Sequence, residues 1–83
     1  MRRKIAKRWR KKALRMGAVI LKEGFVFSKK ELRMQGLKPS DNGFAIEMIF
    51  NGCKYSIADN TELDAYKLMV WVLEDEIEGV KAE

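Results

Sequence analysis

Residues 44–58 constrain the fold of this chain more than any other stretch. Two runs, Phe44-Ala45-Ile46-Glu47-Met48-Ile49-Phe50 and Cys53-Lys54-Tyr55-Ser56-Ile57-Ala58, flank Asn51-Gly52. Asn-Gly tolerates the positive φ angles that a type I′ turn needs at both central positions, so the segment predicts a two-residue β-hairpin. Pairing outward from the turn sets Met48 opposite Tyr55 and Ile46 opposite Ile57. One face then carries Phe44, Ile46, Met48, Phe50, Cys53, Tyr55 and Ile57. The other carries Glu47, Lys54 and Ser56 with Ala45, Ile49 and Ala58. The first face is the core face.

A hairpin alone is unstable, and two amphipathic segments are placed to cover it. Over residues 1–22, Ile5, Trp9, Ala13, Met16 and Ile20 share one side of a helix, with Ala6 and Gly17 beside them. This predicts a basic amphipathic helix with Gly24 as its stop. The β-branched stretch at 17–21 leaves open a helix that ends near Met16 and gives way to a strand. Phe25-Val26-Phe27 reads as a short strand. Ser28-Lys29-Lys30-Glu31 has capping-box spacing and opens a short helix through Gln35, with Gly36 as its terminator. The alternative there is a strand continuing through Leu32 and Met34. Residues 38–43 are turn chemistry throughout.

The last helix is expected over residues 60–79, capped by Asp59 or Thr61 and stopped by Gly79. Leu63, Tyr66, Met69, Val70, Leu73, Ile77 and Val80 form one wide apolar face. Leu68 and Trp71 project from the other side, among Asp64, Asp75 and Glu78. The predicted fold class is α+β: a small single domain with an N-terminal basic helix and an antiparallel β-hairpin or three-stranded sheet. The C-terminal acidic helix packs on that sheet.

The residue inventory excludes most chemistry. The chain has 83 residues, no histidine and a single cysteine. That leaves no intramolecular disulfide, no ordinary acid–base group at neutral pH and no imidazole ligand for a metal. Cys53 alternates onto the core face and reads as a small buried hydrophobe. The acidic cluster of Glu74, Asp75, Glu76 and Glu78 reads as a solvated helix end, with no metal implied. No glycine-rich phosphate cradle appears. No enzyme activity, cofactor or metal is expected. The apolar run after the basic start is too short for a membrane span, and a lone thiol suits a reducing cytoplasm.

Charge carries the functional signal. Nine of the first fifteen residues are Lys or Arg with no acid among them, whereas residues 59–83 hold eight carboxylates and two lysines. Phosphate neutralisation needs several cations fixed along one face, and a helix delivers them at regular intervals. Arg3, Lys4, Lys7, Arg8, Arg10, Lys11, Lys12 and Arg15 are therefore the candidate nucleic-acid contacts. The bland alternative is a solvated basic face paired with the protein's own acidic helix. Trp9 lies among these cations, but its mid-seam phase favours the core over base stacking.

The helix–sheet–helix order resembles the double-stranded-RNA-binding domain. That family's lysine cluster at the start of the second helix is replaced here by Asp59, Glu62 and Asp64, so the resemblance implies no function for this chain. Two readings follow. The first is a small non-enzymatic protein that binds DNA or RNA phosphates through its basic helix. The second is an inhibitor or adaptor, of the kind phages and mobile elements encode, that docks on a larger protein complex through its charged helices. Its interface would include Leu68, Trp71 and Asp75, and an acidic protein surface would suit the basic helix. A homodimer through Leu68 and Trp71 is expected, the alternative being that the segment around Leu32 and Met34 folds over Trp71 within the monomer.

Overall fold

Asn51 (φ 52°) and Gly52 (φ 80°) both occupy the left-handed region. The strands they join, β2 (Phe44–Phe50) and β3 (Cys53–Asp59), pair with Ile46 opposite Ile57 and Met48 opposite Tyr55, as the alternation predicts. Phe44, Ile46, Met48 and Ile57 are buried. Burial fades toward the turn, where Tyr55 and Phe50 are half-buried and Cys53 is exposed. Cys53 is on the core face by phase, yet it stands at the hairpin tip, beyond the buried part of that face. The expectation of a buried thiol is therefore corrected.

The computed structural model describes the backbone of residues 2–82 and the side chains of residues 4–79. The side chains of Arg3 and Val80 thus lie outside the described residues. The first helix, α1 (Arg2–Arg15), is shorter than the 1–22 helix expected, and a strand, β1 (Val19–Phe25), follows it, which is the alternative of a helix ending near Met16. Gly17 sets the stop. Its φ is +107°, its N–H bonds the Leu14 carbonyl at 3.1 Å, and the Ala18 N–H reaches the Ala13 carbonyl at 3.3 Å. That pair of bonds is a Schellman motif, which satisfies the last carbonyls of a helix and requires a residue at ease with positive φ. Gly24, the expected stop, lies within β1 instead.

The strand β1 pairs antiparallel with β2, so the sheet order is β1-β2-β3. The register slips between Ile20, opposite Met48, and Lys22, opposite Glu47. The extra residue, Leu21, is a β-bulge that inverts the alternation after it. Lys22 turns outward, and Glu23 turns inward opposite Ile46. Past the strand, the Asn42 side chain continues the ladder. It accepts from the Phe27 N–H and donates to the Phe27 carbonyl, both at 2.8 Å.

Between β1 and β2 the chain forms α2 (Lys29–Met34) and a single 3-10 turn (Pro39–Asp41). Ser28 and Glu31 make the expected capping box. Gly36 (φ 69°) ends α2 with a second Schellman motif, its own N–H on Arg33 and the Leu37 N–H on Leu32. The last helix, α3 (Glu62–Ala82), is capped by Thr61, whose hydroxyl accepts from the Asp64 N–H at 3.0 Å. It runs through Gly79, so the stop expected there is absent.

Both helices lie on the same side of the sheet. α3 packs on β2 and β3, and α1 packs along α3. Ala65, Tyr66, Met69, Val70 and Leu73 of α3 are buried with Ala6 and Ala13 of α1. The buried line of α1 is rotated from the expected seam, because Ile5 is 41% exposed and Arg10 is half-buried. The resulting architecture is a small α+β domain with a two-helix layer on a three-stranded antiparallel sheet.

Candidate nucleic-acid interface

The inward turn of Glu23 decides what the basic helix exposes. Glu23 is the first acidic residue of the chain. Its carboxylate accepts from Arg10 Nε at 3.0 and 3.1 Å, and a terminal guanidinium nitrogen of Arg10 lies 2.9 Å from Oε1. The Tyr66 hydroxyl donates to Oε2 at 2.6 Å. One carboxylate thus ties α1, β1 and α3 together. Burial pushes the Glu23 carboxyl up, but hydrogen bonds from Arg10 and Tyr66 outweigh burial and hold it below its ordinary value. The same hydrogen bond raises the Arg10 guanidinium, and burial with the Glu23 contact raises the Tyr66 phenol. Among the cations expected to contact nucleic acid, Arg10 is therefore committed to the fold. Neither Arg10 nor Glu23 stands out in the sequence. The bulge that brings them together depends on tertiary pairing, and the only prior signal was a lone carboxylate after 22 residues without an acid.

The remaining cations sort by helical phase. At about 100° per residue, Lys4, Arg8, Lys11 and Arg15 fall on one ridge, opposite buried Ala6 and Ala13. All four are exposed. The ridge spans about 16 Å at 1.5 Å per residue. Lys7 is exposed on its flank. Lys12 faces α3, with Nζ 3.5 Å from Glu74 Oε1 and 5.4 Å from the centre of the Trp9 ring. Lys67 of α3 approaches the same ring at 5.8 Å. Trp9 is half-buried and packs against the core, with both ammonium groups close to its ring, and its remaining accessible part lies toward Arg8 and Lys12. The order of contacts, Trp9 with Lys67 and then Lys12 with Glu74, shows that α1 and α3 run parallel.

The residues expected at a protein interface separate. Trp71 is 56% exposed, and Asp75 is exposed beside it. Leu68 is half-buried and packs against the core, which corrects its placement on the outer surface. Met34 is 78% exposed and Leu32 is buried.

An open cleft of about 600 Å³ lies at the N-terminal end of α3, lined by Ala6, Phe25, Asn42, Thr61, Glu62 and Asp64 among others. Its two carboxylates make it a poor seat for phosphate. Among the described residues no three histidine, cysteine or carboxylate side chains converge as metal ligands, and no helix is long and apolar enough to cross a membrane. No protein-family model, curated protein or solved structure matches this chain.

Proposed function

We propose that this chain is a small non-enzymatic nucleic-acid-binding protein that grips phosphates through the outer ridge of α1. The observation that supports this reading is the exposure of Lys4, Arg8, Lys11 and Arg15 in a single line on a folded helix. A rigid row of cations displaces condensed counterions from a duplex without ordering new side-chain scaffolds, and that release drives binding. Phosphate contacts carry no sequence information, so affinity is general and base preference slight. Arg10 plays no direct part, since Glu23 holds it.

Fluorescence anisotropy with two labelled duplexes of unrelated sequence, in DNA and RNA form, tests the reading. Affinities for the two sequences should agree within about threefold, as expected for backbone contacts. Absence of binding at about 50 mM salt, where phosphate contacts are strongest, contradicts it.

A second reading, a protein-binding module, is favoured by one observation. Trp71 stands exposed on a ridge of carboxylates, and exposed tryptophan is enriched at interfaces.

A further inference from the structure

We propose that a second copy of this chain docks on the helix layer, Trp71 of each copy seated against Trp9 of the other, and that the two-fold dimer covers the cationic ridge of α1. The masking part rests on the nucleic-acid reading above; the docking part does not.

Three features of the layer's outer surface carry the inference. The first is Trp71, a large apolar group exposed near the middle of α3. The second is a shallow hollow of about 150 Å³ on the same surface, walled by Arg8, Trp9 and Lys12. A hollow of that volume holds one aromatic ring. The ring of Trp9 forms its apolar wall, and two cations rim it, as an incoming indole prefers.

The third is the charge pattern. By phase, the ridge of α3 facing away from the sheet carries Asp64, Trp71, Asp75 and Glu78, all exposed. Beside it runs the ridge of Lys4, Arg8, Lys11 and Arg15. The helices are parallel and level, since Lys12 meets Glu74 and Lys67 meets Trp9. A two-fold axis along the seam between them lays α1 of one copy on α3 of the other. That operation sets Lys4 near Asp64, Arg15 near Asp75 and Glu78, and Trp71 level with the hollow. The contact is self-complementary, as a two-fold interface must be, with an aromatic centre and a charged rim. A nucleic acid does not fit this seat, because the carboxylates around Trp71 repel phosphate.

The dimer and a duplex compete for Lys4, Arg8, Lys11 and Arg15, so self-association limits free binding surface as concentration rises. Sedimentation velocity of the full chain at about 100 μM, in about 50 mM and about 500 mM salt, tests this because the rim charges are screened at the higher value. The expected result is a dimer at low salt that weakens at high salt. Trp71→Ala, which leaves every charge in place, should weaken the dimer by at least about 30-fold, the loss typical of a central interface tryptophan. Arg15→Glu should also weaken it, and Arg15→Glu combined with Glu78→Arg should recover it. Added duplex DNA should convert the dimer to DNA-bound monomers.

A wild-type protein that stays monomeric overturns the inference, and so does a dimer indifferent to Trp71→Ala and to the charge exchange. A DNA-bound dimer overturns the masking. A dimer that Trp71→Ala dissolves, in a protein that binds no duplex, supports the docking and overturns the nucleic-acid reading alone.

Discussion

The Tyr66 hydroxyl donates a 2.6 Å hydrogen bond to the Glu23 carboxylate across 43 residues of sequence. With Arg10 on the same carboxylate, this contact fixes how α1 sits, and so which side of α1 faces solvent. Tyr66→Phe should lower stability by about 1–2 kcal/mol, toward the low end for a hydrogen bond to a charged group because the site is only half-buried. Urea denaturation measures the change. A loss below about 0.3 kcal/mol would mean the contact does not hold the layer together.

The same carboxylate gives stability a defined pH dependence. Glu23 titrates below its ordinary 4.5 in the folded protein. The unfolded chain therefore takes up the proton first as pH falls, so the contribution is present above 4.5 and is lost as pH falls through the lower folded value. Tyr66 is raised above its ordinary 10.0, so its contribution is full below 10.0 and is lost as pH rises beyond it. Thermal melts of Glu23→Gln should show a shallower acid limb than the wild type, and melts of Tyr66→Phe a shallower alkaline limb. Acid limbs of equal slope for wild type and Glu23→Gln contradict the assignment.

Arg10 and Lys11 are adjacent cations with opposite expected roles. Arg10→Ala should cost about 1 kcal/mol of stability, because its ion pair is partly exposed and solvent screening reduces its worth. Once the variant is folded, its DNA affinity should be nearly that of the wild type. Lys11→Ala should leave stability within about 0.5 kcal/mol and weaken DNA binding. Denaturation and anisotropy on both variants separate the roles, and the reverse pattern contradicts the placement of Arg10.

Gly17 and Gly24 offer a backbone test. Gly17 holds φ +107° in the Schellman motif that ends α1, so Gly17→Ala should destabilise by at least about 1 kcal/mol. Gly24 has negative-φ strand geometry with nothing within 4 Å of an added Cβ, so Gly24→Ala should be neutral or slightly stabilising. Chemical denaturation of both variants checks the contrast. Equal effects would mean Gly17 does not need its positive φ.

These glycines also show how far the sequence could be read. Asn51-Gly52, the Ser28/Glu31 box and Gly36 are local signals, decided by a few neighbouring dihedrals and hydrogen bonds, and each was legible. Gly17 carries the same kind of signal as Gly36, but it falls in phase with the apolar seam of α1, which hides the stop. The sequence therefore leaves two outcomes open, a helix through residue 22 and a helix that ends near Met16 before a strand, and the second is the one that forms. Leu21 was illegible for a different reason, since a bulge exists only relative to the strand it pairs with. Without it Glu23 points outward, and the Glu23–Arg10–Tyr66 cluster has no sequence trace beyond a lone carboxylate that follows 22 residues without an acid. Leu68 misled because helical phase gives a direction without saying how far the packing layer extends around α3. For the candidate site, the cationic residue types and the exposure of Trp71 were legible, whereas the withdrawal of Arg10 and the Lys12–Glu74 pair required the tertiary arrangement.

Core packing gives a further measure of the face assignment. Met48 is fully buried and Tyr55 only half-buried, although they face each other across the hairpin. Met48→Ala should cost about 2–5 kcal/mol, as for other fully buried large-to-small changes, and Tyr55→Ala distinctly less. Denaturant midpoints report both. A larger loss at Tyr55 contradicts the packing described.

The central claim is that α1 binds phosphates through Lys4, Arg8, Lys11 and Arg15, and the salt dependence of duplex DNA binding tests it most directly. With four phosphate contacts, log K should fall with log salt at a slope near about −3.6, and the Arg8→Ala/Lys11→Ala double variant should flatten it by nearly about two units. A double variant with the wild-type slope and affinity contradicts the claim.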